Sequence, residues 1–151
     1  MEKYLVAFDG SDNAIKALQQ GILLAKVKNA EVTVLIVIPE ASSPLYAYKQ
    51  VVYGGSPTEV ATMLNLNNKA DKTALETLEK AQSLLKDSGA KEKFIVARGH
   101  PADIICYIAE EEKYDLIILG RKGHGMIKRF LLGSVSSNVA HSSKTNVLLV
   151  N

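Results

Sequence analysis

Five short runs of this chain are apolar at nearly every position, and they constrain the fold more than any other feature. They are Tyr4 to Asp9, which closes on an acid, Val32 to Ile38, Phe94 to Ala97, Leu116 to Leu119 and Val147 to Val150. A strand with one wet face alternates apolar and polar residues. A run without alternation is buried on both faces, as in a parallel sheet covered by helices on either side. The segments between the runs supply those helices. Asp12 to Lys28 carries Ile15, Leu18, Ile22 and Ala25 at three- and four-residue steps. Lys69 to Ser88 places Leu75, Leu78 and Leu85 on one face, with Gly89 as its stop. Pro101 fits the first turn of a helix running to Lys113, with Ile104, Ile105, Ile108 and Ala109 inward. Ser134 to Ser142 reads as a last helix. Strand and helix alternate throughout, so the fold class is a doubly wound α/β sheet of five parallel strands. At 151 residues one domain over 1–151 is expected, with a substantial core.

One stretch does not fit a compact unit. Pro39 to Asn68 contains Ser42, Ser43, Pro44, three tyrosines, Gly54-Gly55 and Pro57, and it is too long for an ordinary connection. A short helix over Thr58 to Leu64 is compatible with it. Two readings stand side by side. One is a flap over a ligand, with Tyr46, Tyr48 or Tyr53 near it. The other is a surface excursion that packs on itself.

Several function classes are disfavoured. With 18 basic against 16 acidic side chains, net charge gives no argument for nucleic-acid or membrane binding. The longest apolar runs are far too short to span a bilayer. The amino terminus enters a strand at once, without a signal-peptide pattern. The one cysteine, Cys106, cannot form an internal disulfide, and it lies in a helical pattern among Ile104, Ile105 and Ile108 as a small packing residue. These features fit a cytoplasmic, reduced protein. His100 and His141 lack partners at ligand spacing, so a histidine metal site is not expected. His124 has no serine or cysteine partner evident in sequence, so nucleophilic catalysis is unsupported.

The chemistry is concentrated in Gly120-Arg121-Lys122-Gly123, followed after nine residues by Gly133-Ser134. The motif leaves an apolar strand and ends at a helix start. Glycines permit close backbone approach and positive φ. Successive N–H groups can then surround an anion, and the helix N-terminus adds further donors. The spacing is neither G-x-x-x-x-G-K-[ST] nor G-x-G-x-x-G. In an open parallel sheet, ligands sit beyond the carboxyl ends of the strands where the strand order reverses. An order of 3-2-1-4-5 puts Asp9 and Gly120 at that reversal. An order of 2-1-3-4-5 would instead put Asp9 beside Arg98-Gly99-His100. The first order explains the position of the glycines.

The G-x-x-G, nine residues, G-S spacing resembles the nucleotide-binding members of the universal stress protein family, and the resemblance covers nearly the whole chain. Ala7-Phe8-Asp9-Gly10-Ser11 resembles the family's opening strand and Asp-x-Ser turn. Val34 to Pro39 resembles its second strand, Gly99-His100-Pro101 its entry to the third helix, and Leu131 to Ser136 the segment that closes the phosphate site. Val147 to Val150 resembles its terminal strand. Two departures stand out: Arg121-Lys122 replaces the commoner Ser-Arg or Ser-His, and Asn146 stands where a proline usually precedes the last strand.

The resemblance implies an ATP-binding set of Ala7, Phe8, Asp9, Val37, Leu119, Gly120, Arg121, Gly123, Gly133, Ser134, Val135 and Ser136. Val37 matches the position whose backbone reads the adenine edge. Asp9, an acceptor at a strand end, suits ribose hydroxyls or the waters of Mg²⁺. Its rival role is a turn or capping acid at Asp9-Gly10-Ser11-Asp12. Gly120 and Gly123 are expected to bring the backbone against ribose and phosphates, and Gly133 to Ser136 to supply donors, with Ser134 also suited to be an N-cap. Arg121, Lys122, His124, Lys128 and Arg129 could neutralise phosphates or simply form a solvated face.

The implied function is an ATP-binding (or AMP- or ADP-binding) regulatory, stress-response module using Mg²⁺, at most a slow hydrolase. The alternatives are a true ATP hydrolase of the related fold, for which only Asp9 and His124 are candidate bases, and a nucleotide-free dimeric interaction protein. Val147 to Val150 is an apolar edge strand without a protective charge or proline. Together with the resemblance, it implies a homodimer across paired terminal strands.

Overall fold

The computed structural model describes residues 1–40, 52–54, 56–123 and 132–151. Along the chain it runs β1 (Lys3–Ala7), α1 (Asp12–Lys28), β2 (Glu31–Pro39), β3 (Val52–Gly54), α2 (Pro57–Ala61) and α3 (Lys69–Leu85). It continues through β4 (Lys91–Gly99), α4 (Pro101–Glu111), β5 (Leu116–Gly120), α5 (Ser134–Ser142) and β6 (Asn146–Val150). The sheet order is β3-β4-β2-β1-β5-β6. Five of these strands are parallel, β4-β2-β1-β5-β6, which is the expected 3-2-1-4-5 when the parallel strands are counted along the chain. The sixth, β3, lies inside the long connection and pairs antiparallel with β4. It is three residues long. That is too short for side-chain periodicity to register, because such a strand is defined by its neighbour rather than by its own sequence.

The non-alternating strands are buried on both faces, as their composition requires. Val6, Val34, Ile36, Phe94 and Ile118 point to the layer that holds α1 and α3. Leu5, Leu35, Ile95, Ile117 and Leu119 point to the layer that holds α4 and α5. Phe94 and all the branched residues just named are 3 % exposed or less.

Boundaries moved where charge or capping overrides pattern. β4 begins at Lys91, three residues before its apolar run. Lys91, Glu92 and Lys93 pair in register with Glu31, Val32 and Thr33, which sets Lys91 opposite Glu31. α3 stops at Leu85, not Ser88; Asp87 and Gly89 behind it both take positive φ. α4 stops at Glu111 rather than Lys113, and α2 covers Pro57–Ala61 rather than Thr58 to Leu64. α2 opens with a reciprocal cap. The Ser56 hydroxyl accepts from the Glu59 N–H, and the Glu59 carboxylate accepts from the Ser56 N–H. Cys106 is half-buried against the α4–α5 layer, and burial pushes its thiol up. Among the described residues no helix is long and apolar enough to cross a membrane.

Candidate functional site

The site is built from strands of unequal length. β1 ends at Ala7, and the Phe8 N–H donates to the Leu35 carbonyl at 2.9 Å. β2 runs on to Pro39, still paired with β4. Backbone groups alternate sides along a strand, so Val37 directs its N–H and C=O to the same side as Leu35. There β1 no longer runs. The register is consistent with this: on the other side the Glu40 N–H donates to the Gly99 carbonyl at 3.1 Å.

The chain leaving β1 makes a tight turn. Gly10 has φ 80°, a backbone that side chains rarely tolerate. Asp9 Oδ1 accepts from the Ser11 N–H at 2.9 Å, and the Ser11 hydroxyl accepts from the Ala14 N–H at 3.2 Å, capping α1. Asp9 therefore fills its turn role while its side chain remains exposed at the strand end. The two readings of this residue are compatible.

The chain leaving β5 lies beside that turn. A Cβ on Gly120 would stand 2.7 Å from the Asn13 carbonyl carbon and 2.9 Å from the Ala14 nitrogen. This glycine is required by the packing of β5 under the start of α1. A Cβ on Gly123 would stand 2.7 Å from Asp9 Oδ2, so the second glycine makes room for the carboxylate. Gly133 meets only ordinary contacts, the nearest at 3.5 Å. None of the three has positive φ. Space at Gly120 and Gly123, not backbone freedom, is what the motif supplies.

Arg121 differs from expectation. Its side chain turns from the site to Asn151, with Nη1 donating to Oδ1 at 3.2 Å. Its backbone is the joint of the region: its N–H donates to the Val150 carbonyl at 2.7 Å and its carbonyl accepts from the Gly133 N–H at 2.9 Å. Gly133 rather than Ser134 is the N-cap of α5, and having no side chain it offers that first turn no cap of its own. The Ser136 hydroxyl is buried and donates to the Gly120 carbonyl at 2.7 Å, locking α5 to the end of β5.

These pieces enclose a cleft of about 860 Å³. Every residue expected at the site lines it except Arg121: Ala7, Phe8 and Asp9 from the end of β1, Val37 from β2, Leu119 and Gly120 from β5, Gly123 beyond it, and Gly133 to Ser136 at the start of α5. Lys122 lines it too. His124, Lys128, Arg129, Tyr46 and Tyr48 lie outside the described residues, as do 41–51 and 55 of the long connection. One whole wall of the cleft has no counterpart among the residues expected from sequence. Lys69, Ala70, Thr73 and Thr77 of α3 face the cleft, and Pro101 and Ile105 of α4 close its other side. Asn68 caps α3 at the mouth of the cleft, its Oδ1 accepting from the Ala70 and Asp71 N–H groups. Among the described lining residues, Asp9 is the one carboxylate, and Lys69 and Lys122 are the two cations.

The α3 wall is fixed by a buried ion pair. Arg98, at the end of β4, donates from both terminal nitrogens to Asp71, each bond 2.6 Å, and Asp71 Oδ2 also accepts from the Asn65 N–H at 2.8 Å. Asp71 is 1 % exposed. The Arg98 guanidinium holds its carboxyl below the usual carboxylate range, outweighing burial. Among the described residues no three metal-ligating side chains cluster.

The sequence profile of the universal stress protein family matches residues 1–151. The universal stress protein YxiE of Bacillus subtilis is 36 % identical over 148 residues, covering 98 % of this chain and 97 % of its own. The universal stress protein MJ0577 of Methanocaldococcus jannaschii is 35 % identical over 152 residues, covering 99 % and 94 %. The solved structure of MJ0577 superposes with a TM-score of 0.74, at 34 % identity, covering 99 % of this chain and 94 % of that one. A universal stress protein solved in complex with cAMP superposes with a TM-score of 0.69 at 28 % identity, covering 99 % and 97 %. The profile match spans every element of the sheet and the cleft, and the chain belongs to the universal stress protein family.

Proposed function

We propose that the cleft binds an adenine nucleotide, ATP with Mg²⁺, and that the protein works as a nucleotide-dependent regulatory module rather than a dedicated enzyme. One observation carries this reading. The outward backbone edge of Val37 and the N-terminus of α5, whose N-cap Gly133 carries no side chain, lie in one cleft. One N–H and one C=O side by side complement adenine, whose N1 accepts and whose amino group donates. Guanine presents the reverse pattern at the same edge. The first turn of α5 suits phosphate oxygens through its N–H groups and its dipole. Lys122 and Lys69 add positive charge at the rim. Asp9 is placed for ribose hydroxyls or the waters of Mg²⁺. A single carboxylate cannot hold the cation alone, so phosphate oxygens and waters complete its shell. The relative solved with cAMP supports the same ligand class.

Hydrolysis by such a site is slow. Phosphoryl transfer needs an oriented nucleophile and charge stabilisation at the leaving oxygen. Among the described residues, the cleft offers only Asp9 as a base, and Asp9 Oδ1 already accepts from the Ser11 N–H. Turnover should fall far below the ~1–10³ per second of ordinary enzymes. Enzyme-like multiple turnover would move the protein to the hydrolase reading.

The protein as purified should release an adenine nucleotide on denaturation, identifiable by mass spectrometry. Calorimetry with ATP, ADP, AMP and GTP tests the assignment. Equal affinity for GTP and ATP would refute the Val37 reading. We also propose that β6 pairs with a second copy: it is an edge strand whose Val147 to Val150 are only half-buried. Sedimentation should then give a dimer, and a monomer at working concentration would refute it.

A further inference from the structure

α3 reaches the other side of the cleft through one long side chain. Lys80, about three turns into the helix, donates from Nζ to the Gly10 carbonyl at 2.9 Å, across 70 residues of sequence. Gly10 sits between Asp9 and Ser11, at the positive-φ corner of the turn. The three residues are fixed from three directions. Asp9 Oδ1 holds the Ser11 N–H, Ser11 caps α1, and Lys80 holds the Gly10 carbonyl. Asp9 Oδ2 is then directed toward Gly123.

We propose that Lys80 is a positioning residue for the ligand site: through the Gly10 carbonyl it sets the orientation of the Asp9 carboxylate and ties the α3 wall to it. The inference rests on the nucleotide reading above and deepens it. Lys80 does not line the cleft, so it touches no ligand. Its effect runs through the turn. An ammonium-to-carbonyl bond is charge-assisted and stronger than a neutral one. The same tie gives α3 a route to sense the ligand. α3 lines the cleft with Ala70, Thr73 and Thr77, and it is anchored at its start by Asp71 and Arg98. A ligand that favours one orientation of Asp9 therefore also favours one placement of α3, and the linkage is reciprocal.

The test is a double-mutant cycle on the whole chain, read by calorimetry with Mg·ATP. Lys80→Met keeps the stem and removes the donor; it should weaken Mg·ATP about tenfold. Lys80→Arg should recover most of that loss. In the Asp9→Asn background Lys80→Met should cost less than threefold further, because both changes act on one group. The urea midpoint of Lys80→Met, followed in parallel, should stay near the parent, which separates positioning from a general loss of fold. Unchanged affinity in Lys80→Met, or full additivity with Asp9→Asn, would overturn the inference while leaving nucleotide binding intact. A parent that binds no Mg·ATP would overturn both.

Discussion

The two ends of the sheet are built from similar residues and put them to opposite uses. At the amino end the polar groups answer one another. The Tyr114 hydroxyl donates to Thr33 Oγ1 at 3.0 Å, with Thr33 fully buried. Lys3 Nζ donates to the Glu112 carbonyl at 2.6 Å and stands 4.4 Å from the centre of the Tyr114 ring. Lys93 pairs with Glu112, and the Lys3 N–H donates to Asp115. At the carboxyl end strands stop at different heights, a helix begins at a glycine N-cap, and a carboxylate stands where a glycine leaves it room. Donors that are used internally stabilise the fold and recognise nothing else. Donors aimed into a cleft recognise a ligand and contribute little to stability. The comparison separates the residues whose loss should unfold the chain from those whose loss should only silence it.

Gly123→Val should have the largest effect on binding. The new side chain would occupy the place of Asp9 Oδ2, so the carboxylate must swing away. The displaced group is the tip of an exposed side chain, so the fold should tolerate it. We expect Mg·ATP affinity to fall on the order of 100-fold, about 2.8 kcal/mol, with a thermal midpoint close to the parent. Unchanged affinity in calorimetry would remove Asp9 from the site. Gly120→Val offers the contrast. Its Cβ meets the backbone of α1 rather than the end of an exposed side chain, so stability should fall along with binding.

That pair of glycines also marks how far sequence could go. The motif and its place after β5 were legible because both are local. A buried strand, a glycine spacing and a helix start can be read from one stretch of chain. What each glycine makes room for was not legible, since Asn13 and Asp9 arrive from elsewhere. The sheet order could be inferred because only one order explained the glycines at a switch point. The α3 wall could not, because nothing in Lys69 to Thr77 distinguishes a helix over a cleft from a helix over plain core. The contact of the Arg121 side chain was not legible for the same reason, since Asn151 lies 30 residues away in the chain.

Asp71→Asn tests a group at the carboxyl end that behaves like the amino end. The carboxylate is buried and fully used by Arg98 and Asn65. Breaking a buried pair typically costs about 3–5 kcal/mol. With Arg98 still 23 % exposed, a loss of about 2–3 kcal/mol is expected. The pH dependence has a definite sign. The Asp71 carboxyl is held below its ordinary 3.8, so the unfolded chain takes up its proton first. The pair therefore adds stability above that value and loses it as pH falls through the lower, folded value. Urea midpoints between pH 7 and pH 2 should show this acid limb in the parent and a shallower one in Asp71→Asn. Parallel curves would mean that the pair does not report on acid stability.

The smallest effect belongs at the amino end. Tyr114→Phe removes the hydroxyl that donates to Thr33 Oγ1 and leaves a fully buried hydroxyl with one partner fewer. Burial pushes the Tyr114 phenol well above its ordinary value, so it is a neutral donor throughout the accessible pH range. A loss of about 1 kcal/mol is expected, as for a neutral hydrogen bond. The loss should be independent of pH between 5 and 9, unlike that of Asp71→Asn. Adding Thr33→Val removes the second partner with little change in shape, and the double variant should regain part of the loss, because no buried group is then left unanswered. Mg·ATP affinity should stay within about twofold of the parent in both variants, since the pair sits at the end of the sheet away from the cleft. A tenfold change in affinity from Tyr114→Phe would show that the two ends are coupled through the strands, and the division of labour between them would have to be given up.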